Sequence, residues 1–469
     1  MSRLIALVVL ASVARSAQAQ VADPRSAKVD SIFTAMDRTT LPGCAVGVVQ
    51  DGRFLHRRGY GMADLERGVP LTSETVFYTG SVSKQFTAMS IALLVRDGKL
   101  SLDDSARKYL PELPAAGAGI TIRHMVHHMS GLREKWDLFL LRGMQNGDLV
   151  TQDDVLDLVK MQRDLNFTPG SEQLYNNTAY DLLATIVQRV SGKSIRDFAA
   201  ERIFGPLGMT RSQYVDDWSL LVPGRAAGHS VTAGKVSLSP AHVETVGSGS
   251  VYSTVEDMAR WDESFYTGRL GGEALLQLVQ TPGKLNDGTQ PNYAFGLMLD
   301  TWRGLRRVHH GGALAGFRAD IMRFPDQHFS AIVLCNLAQV NPQTYAERIA
   351  EVYLADKLGP VTPATRTTAA AAPPTEPALT GAAALGAYAG RYRSGELGVL
   401  WTVAASDTGL VATVVRGRAV PLKPVSKDNY TADGMAVKFA RDGKGKVTAL
   451  LVTPGRSRNI RFAKDGRTD

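Results

Sequence analysis

Phe77-Tyr78-Thr79-Gly80-Ser81-Val82-Ser83-Lys84 leads into Phe86, Ala88, Met89, Ile91, Ala92, Leu93, Leu94 and Val95, which ends at Asp97-Gly98. A helix that is apolar nearly all round is buried, so the pattern predicts a buried helix over residues 83–96 with Ser81 at its entrance. Ser-x-x-Lys alone is a weak signal, since residue frequencies give roughly one or two matches in a chain of this length. A second match, Ser105 and Lys108, sits in a polar stretch before Pro111 with no long helix behind it. Ser81 has three advantages as a nucleophile. Lys84, one turn on, shares its face. The free N–H groups and the helix dipole stabilise developing negative charge. Burial favours a neutral, basic lysine. A plain helix-capping serine fits the same local pattern, so the choice depends on what lies further along the chain.

Two further elements bear on that choice. Tyr175-Asn176-Asn177 follows Pro169-Gly170 and precedes a helical pattern from Thr178. A Tyr-x-Asn on a loop can supply a phenolic proton shuttle and an amide that binds substrate; alone, it is also an ordinary turn and helix cap. His310-Gly311-Gly312 ends a predicted strand and opens Ala313-Leu314-Ala315-Gly316. Small residues there let a substrate backbone approach the strand edge, and His310 offers a hydrogen bond near the reacting group. A glycine-rich hairpin turn reads the same way.

The rest of the chain sets the frame. Its 469 residues are 44% hydrophobic and 21% charged, which excludes a disordered chain or a disulfide-dense mini-protein. There is room for about two to three domains. Net charge is +8, but 15 Lys and Arg against 8 Asp and Glu fall from Glu376 onward. The long middle is therefore near neutral, without the basic stripe of a nucleic-acid binder, and no nucleic-acid partner is expected. Met1-Ser2-Arg3, an apolar run over 4–14 and Ala17-Gln18-Ala19 follow the grammar of a secretory signal peptide. The run is short of the ~20 residues a spanning helix needs. The expectation is a secreted or periplasmic protein, cleaved near Ala19, with no stable membrane insertion.

Between residues 359 and 384, five prolines, four consecutive alanines and many threonines read as an extended linker. The expected organisation is a signal peptide (1–19), a catalytic domain (20–358), the linker (359–384) and a small all-β domain (385–469). In the last, short alternating runs over 397–403, 410–415, 435–439 and 447–452, divided by turns such as Asp433-Gly434, suggest an antiparallel barrel or sandwich. In the front region, 44–49 and 54–60 flank the hairpin signal Gln50-Asp51-Gly52. Helical patterns over 153–162 and 178–190 follow, then strand runs over 307–310, 317–324 and 329–334. Strands at both ends with helices between imply an α/β sandwich whose sheet closes with distant parts of the chain. Cys44 and Cys335, the only cysteines, both lie in apolar strand-like runs; a disulfide and two buried thiols both fit.

In order, Ser-x-x-Lys, Tyr-x-Asn and His-x-Gly make a set far more specific than any member. The chain resembles the serine β-lactamase and penicillin-binding-protein-like hydrolases, the branch with class C β-lactamases, D-aminopeptidases, D,D-carboxypeptidases and related esterases. The resemblance spans about residues 21–357. It includes Leu100-Ser101-Leu102-Asp103-Asp104, Ile120-Thr121-Ile122-Arg123-His124, Ser130-Gly131-Leu132, Pro169-Gly170 and Tyr252-Ser253-Thr254. It implies a β-lactamase-like α/β sandwich with an antiparallel sheet and a helical subdomain, and the β-rich back region looks like the domains appended to family peptidases. Carried across, Ser81 attacks a carbonyl to form an acyl-enzyme, and Lys84 and Tyr175 share the base and acid roles. Asn177, His310 and Gly312 contact a small-molecule or peptide substrate. The backbone N–H groups of Ser81 and Ala313 form the oxyanion hole. No metal or organic cofactor is implied. The family fold also sets its first strand beside its last, which implies Cα atoms of Cys44 and Cys335 within disulfide reach, below ~7 Å.

The departures matter for substrate. Class C β-lactamases carry Lys-Thr-Gly where this chain has His310-Gly311-Gly312, and neither Gly311 nor Ala313 offers a hydroxyl for a substrate carboxylate. Arg318 is a candidate substitute. Ester, amide or D-amino-acid peptide hydrolysis therefore ranks above β-lactamase or D,D-carboxypeptidase activity, with a non-catalytic peptidoglycan- or partner-binding protein as the remaining alternative. A metal site at His124, His127 and His128 has helical spacing but no carboxylate in that segment, and a packed helix end explains it better.

Overall fold

The computed structural model describes residues 23–145, 147–361 and 376–465. The expected signal peptide and residues 362–375 of the expected linker lie outside the described residues. The front region is built on a six-stranded antiparallel sheet assembled from both of its ends. Strands β1 (Cys44–Gln50) and β2 (Arg53–Tyr60) form the early hairpin. Strands β3 (Met298–Trp302), β4 (Leu305–Leu314), β5 (Phe317–Phe324) and β6 (Phe329–Cys335) come some 240 residues later, in the spatial order β3-β4-β5-β6-β1-β2.

Both β1 and β6 are buried almost throughout, which accounts for their continuous rather than alternating apolar sequence. One face packs on α1 (Ser26–Phe33) and α5 (Pro342–Tyr353) through Val29, Phe33, Ile349 and Tyr353. The other carries α4 (Val255–Thr267) and the helical layer that contains α2 (Lys84–Arg96) and α3 (Asn177–Ser191). Gly47 shows how closely α4 sits: a Cβ there would lie 2.4 Å from Val255 Cγ1.

Cys44 and Cys335 face each other in the β1–β6 register and form a disulfide of 2.10 Å with Cα atoms 4.0 Å apart. The bond spans 291 residues, a long loop whose closure removes much entropy from the unfolded chain. Replacing both cysteines by serine should lower the unfolding free energy by about 2–5 kcal/mol, read from the denaturant midpoint. An unchanged midpoint would show that the bond adds no stability.

The back region is a closed eight-stranded antiparallel barrel. Its strands are β7 (Gly390–Ser394), β8 (Val399–Ser406), β9 (Gly409–Thr413), β10 (Ala419–Ser426), β11 (Asn429–Ala432), β12 (Met435–Arg441), β13 (Val447–Thr453) and β14 (Ile460–Lys464). Each pairs with the next, and β14 returns to β7. Closure leaves no open sheet edge. Tyr392, Trp401, Phe439 and Phe462 fill the interior. The β11–β12 hairpin turns at Asp433-Gly434, both with positive φ (48° and 79°), as the favoured two-residue turn requires. No helix among the described residues is long and apolar enough to cross a membrane.

Candidate active site

Ser81 lies in a single 3-10 turn, Gly80–Ser83, immediately before α2. In that tighter helix, side chains three apart eclipse one another, which sets Lys84 Nζ 3.2 Å from Ser81 Oγ. The turn is pegged from below. Thr79 Oγ1 donates to the Val251 carbonyl at 2.8 Å, and Ser83 Oγ accepts from Val251 N at 3.0 Å. Helix α2 is buried from Lys84 to Leu94, as its sequence requires. Lys108 of the second Ser-x-x-Lys instead forms an exposed ion pair with Asp104.

Lys84 is fully buried and donates to Asn177 Oδ1 at 2.7 Å and to the Ser248 carbonyl at 2.8 Å. Around it lie two carboxylates and two further cations. Asp181, one turn after Asn177 on α3, pairs with Lys135 at 2.5 Å. Glu134 Oε1 and Oε2 accept from Asn177 Nδ2 and N at 2.8 and 2.7 Å, and Arg456 lies 3.6 Å away. Lys135 and Arg456 thus already balance Asp181 and Glu134. Burial lowers the Lys84 pKa to about 7; Asp181 and Glu134 oppose the shift, and Lys135 and Arg456 add to it. A lysine near pH 7 is matched to proton abstraction at neutral pH.

Tyr175 closes the other side of Ser81. Its ring centroid is 4.8 Å from Lys84 Nζ and 4.3 Å from the His128 ring. Burial raises its pKa, against the pull of the nearby Ser81 hydroxyl and Arg456, so the phenol stays protonated. Its hydroxyl has no hydrogen bond of normal geometry among the described residues, leaving it free to meet an incoming group.

His310 is buried, and its pKa falls to about 3 through burial and the Lys84 charge. Nδ1 lies 2.6 Å from the Gly311 carbonyl and must carry the hydrogen, so Nε2 accepts from the Tyr293 hydroxyl at 3.0 Å. The ring is a fixed neutral wall of the cleft. Asn177 also lines the cleft, with both ends of its amide engaged by Lys84 and Glu134. It positions the lysine.

Gly312 has a task beyond the one read from the sequence. A Cβ there would lie 2.0 Å from the Thr79 carbonyl oxygen and 3.0 Å from Ser81 N. Opposite, Gly80 has φ +56°, and a Cβ on it would lie 2.6 Å from Ala313 N. The two glycines let the serine turn approach the strand, and Gly312 also lines the cleft. They bring the nitrogens of Ser81 and Ala313 to the same end of the cleft, where two N–H groups can serve one oxyanion. Arg318, the candidate for carboxylate binding, donates to the carbonyls of Ala315 and Phe317.

The barrel completes the wall. In its β13–β14 turn, Arg456 N and Ser457 N both donate to Asp137 Oδ2 at 2.7 Å. Ser457 Oγ accepts from Glu134 N at 2.9 Å, and Asn166 Nδ2 donates to the Arg456 carbonyl at 2.9 Å. The Arg456 guanidinium then reaches 5.2 Å from the Tyr175 ring centroid, in the cleft that Ser81 lines. Because its charge lowers the Lys84 pKa, Arg456→Gln should move the acidic limb of the kcat/KM profile to higher pH. An unmoved limb would show that Arg456 is electrostatically silent.

Sequence reading missed Glu134, Lys135, Asp181 and Arg456. Two signals were present: three charged residues in a row, Arg133-Glu134-Lys135, follow Ser130-Gly131-Leu132, and Asn177 and Asp181 share a helix face at i, i+4. Nothing local marks Arg456. The three histidines of the rejected metal site serve structure: His124 completes a helix cap with Thr121, His127 Nδ1 bonds the Arg123 carbonyl, and His128 Nδ1 accepts from Asn176 N.

A serine beside a buried lysine, at the edge of an antiparallel sheet with a helical layer, is the layout of a serine hydrolase. The family model described as Beta-lactamase matches residues 29–354, and the chain belongs to that family. It is similar to a D-aminopeptidase of Cereibacter sphaeroides, 28% identical over 421 residues that cover 89% of this chain and 75% of that protein. A D-aminopeptidase of Brucella anthropi is 30% identical over 300 residues, covering 63% and 56%. Among solved structures, the octameric penicillin-binding protein homologue from Pyrococcus abyssi shares the fold, with a TM-score of 0.64 at 22% identity, covering 93% of this chain and 99% of that one.

Proposed function

We propose that this chain is an exported serine hydrolase that opens an ester or amide bond, with D-amino-acid amides and peptides as its preferred class, through an acyl-enzyme on Ser81. The observation that carries the reading is the 3.2 Å contact between Ser81 Oγ and a buried Lys84 whose pKa is lowered to about 7. Neutral Lys84 takes the Ser81 proton as Oγ attacks the carbonyl carbon. The N–H groups of Ser81 and Ala313 hold the oxyanion. Tyr175 gives its phenolic proton to the departing group and is reprotonated by the Lys84 ammonium; the bond to the leaving group breaks, and water then opens the ester by the reverse relay, its proton passing to Tyr175 or Lys84 and back to Ser81 Oγ. Asn177 and the Ser248 carbonyl keep the lysine aimed.

The D-amino-acid preference rests on the D-aminopeptidase relatives, one of which aligns over 421 residues and so runs past the hydrolase part into the barrel. Gly311 and Ala313, without hydroxyls for a substrate carboxylate, weigh against an efficient β-lactamase. Export is supported by the leader grammar of residues 1–19 and by the Cys44–Cys335 disulfide, a bond that persists in oxidising compartments.

The test is fluorophosphonate labelling, with hydrolysis of D- and L-alanyl p-nitroanilides, p-nitrophenyl esters and nitrocefin, in wild type and Ser81→Ala. Labelling and D-alanyl turnover should both vanish in the variant, the latter by about 10⁴-fold or more. Nitrocefin as the fastest substrate would favour the β-lactamase reading. A wild type silent on every substrate and unlabelled would leave a binding protein.

A further inference from the structure

Asp320 lies on β5 directly across from Gly311 of β4. It is 1% exposed, and neither carboxyl oxygen has a hydrogen-bond partner among the described residues. Such a group is expensive to keep, since buried polar atoms in native proteins are nearly always paired. The basic side chains of the neighbouring strand positions are turned elsewhere. Arg307 holds Asp300 at 2.7 Å and Glu347 at 2.8 Å, His309 Nε2 lies 3.4 Å from Asp300, and Arg318 bonds two carbonyls. Burial, with Glu347 adding to it and Arg307 opposing, pushes the Asp320 pKa well up.

Asp320 lines the same cleft of about 680 Å³ as Ser81, together with Gln343 at the start of α5. A Cβ on Gly311 would lie 3.5 Å from Asp320 Oδ2, so the carboxyl sits over a bare stretch of strand where any larger residue would cover it. The sequence position that offers no hydroxyl to an anion is the position that faces an acid.

Direction along the strand says which part of a substrate arrives there. The oxyanion donor Ala313 marks the carbonyl. Tyr175, which supplies the proton to the departing group, packs at 5.9 Å on His310, toward the Gly311 end. The departing group therefore runs over His310 and Gly311. Resting on the acyl-enzyme reading for Ser81, we propose that Asp320 forms the floor of a leaving-group subsite that binds a positively charged amine on the departing residue of the substrate. An ammonium entering beside Gly311 supplies the missing counter-charge and donates charge-assisted hydrogen bonds to the carboxylate.

The test compares kcat/KM for D-alanyl-lysine, D-alanyl-norleucine and D-alanyl-(Nε-acetyl)lysine, by release of the free second residue. Wild type should favour lysine over both neutral analogues by about 10–100-fold. In Asp320→Asn the preference should fall to about one, carried by KM. Equal losses on all three peptides would make Asp320 a structural residue and overturn the proposal, as would a wild type without charge preference. N-acetylation of the D-alanyl amine separates the other source of positive charge: a variant that loses discrimination only there places the subsite on the acyl side and also overturns it. Norleucine-peptide turnover that survives Ser81→Ala would remove the acyl-enzyme reading itself, an outcome distinct from loss of the charge preference.

Discussion

Lys84→Met should lower kcat/KM by about 10²–10⁴-fold, the usual worth of a positioned general base, and should erase the acidic limb of the pH profile. In wild type that limb should bend at about pH 7, because burial lowers the Lys84 pKa from 10.5 to about 7 and only the neutral amine can take the Ser81 proton. Activity falls below pH 7 and levels off above it. The same shift has a stability signature. Between about pH 7 and 10.5 the unfolded chain holds a proton on Lys84 that the folded chain has lost, so stability rises with pH across that window. Lys84→Met should flatten this slope in denaturant titrations. A variant with wild-type rate and limb would pass the base role to Tyr175.

Glu396→Ala should undock the barrel. Glu396, in the β7–β8 turn, pairs with Arg133 of the hydrolase part at 2.7 Å, with side chains only 6% and 3% exposed. Its Oε1 also accepts from Arg163 N at 2.8 Å. Removing one partner of a buried pair leaves an uncompensated charge and costs about 3–5 kcal/mol, whereas replacing both by apolar residues is often near neutral. Arg133→Leu/Glu396→Leu should accordingly be less destabilised than Glu396→Ala. Proteolytic protection of the barrel and kcat/KM should fall together in the single variant, since Arg456 leaves the cleft with its domain. Retained protection would show that the 454–459 turn holds the barrel unaided.

What could be read from the sequence follows the range of the interactions involved. Ser81 and Lys84 were legible because one helical turn fixes both, and Tyr175 because it sits on the loop entering α3. The strand over 329–334 announced itself through a nearly continuous apolar run, and that over 317–324 through largely alternating apolar positions. Arg456 was invisible, because its place depends on docking a turn more than 280 residues beyond Tyr175, and no local pattern encodes that. The 3-10 turn could not be told from the first turn of α2, whose pattern places the helix start one residue early. Gly312 was read as room for substrate; the folded chain adds that its missing side chain also makes room for Thr79. Asp320 looked like one more strand residue, and its isolation comes from the way Arg307, His309 and Arg318 happen to be occupied.

The Cys44–Cys335 bond also turns the hydrolase part into a covalent ring. Ser81, Lys84, Tyr175, Asn177 and His310 all lie inside that ring, whereas the barrel and Arg456 hang outside it. A single protease nick anywhere between residues 45 and 334 leaves the two fragments joined, and these five groups stay in one molecule until the disulfide is reduced. A cut in the 359–384 segment has no such safeguard: it frees the barrel covalently and leaves only its docking contacts to keep Arg456 in the cleft.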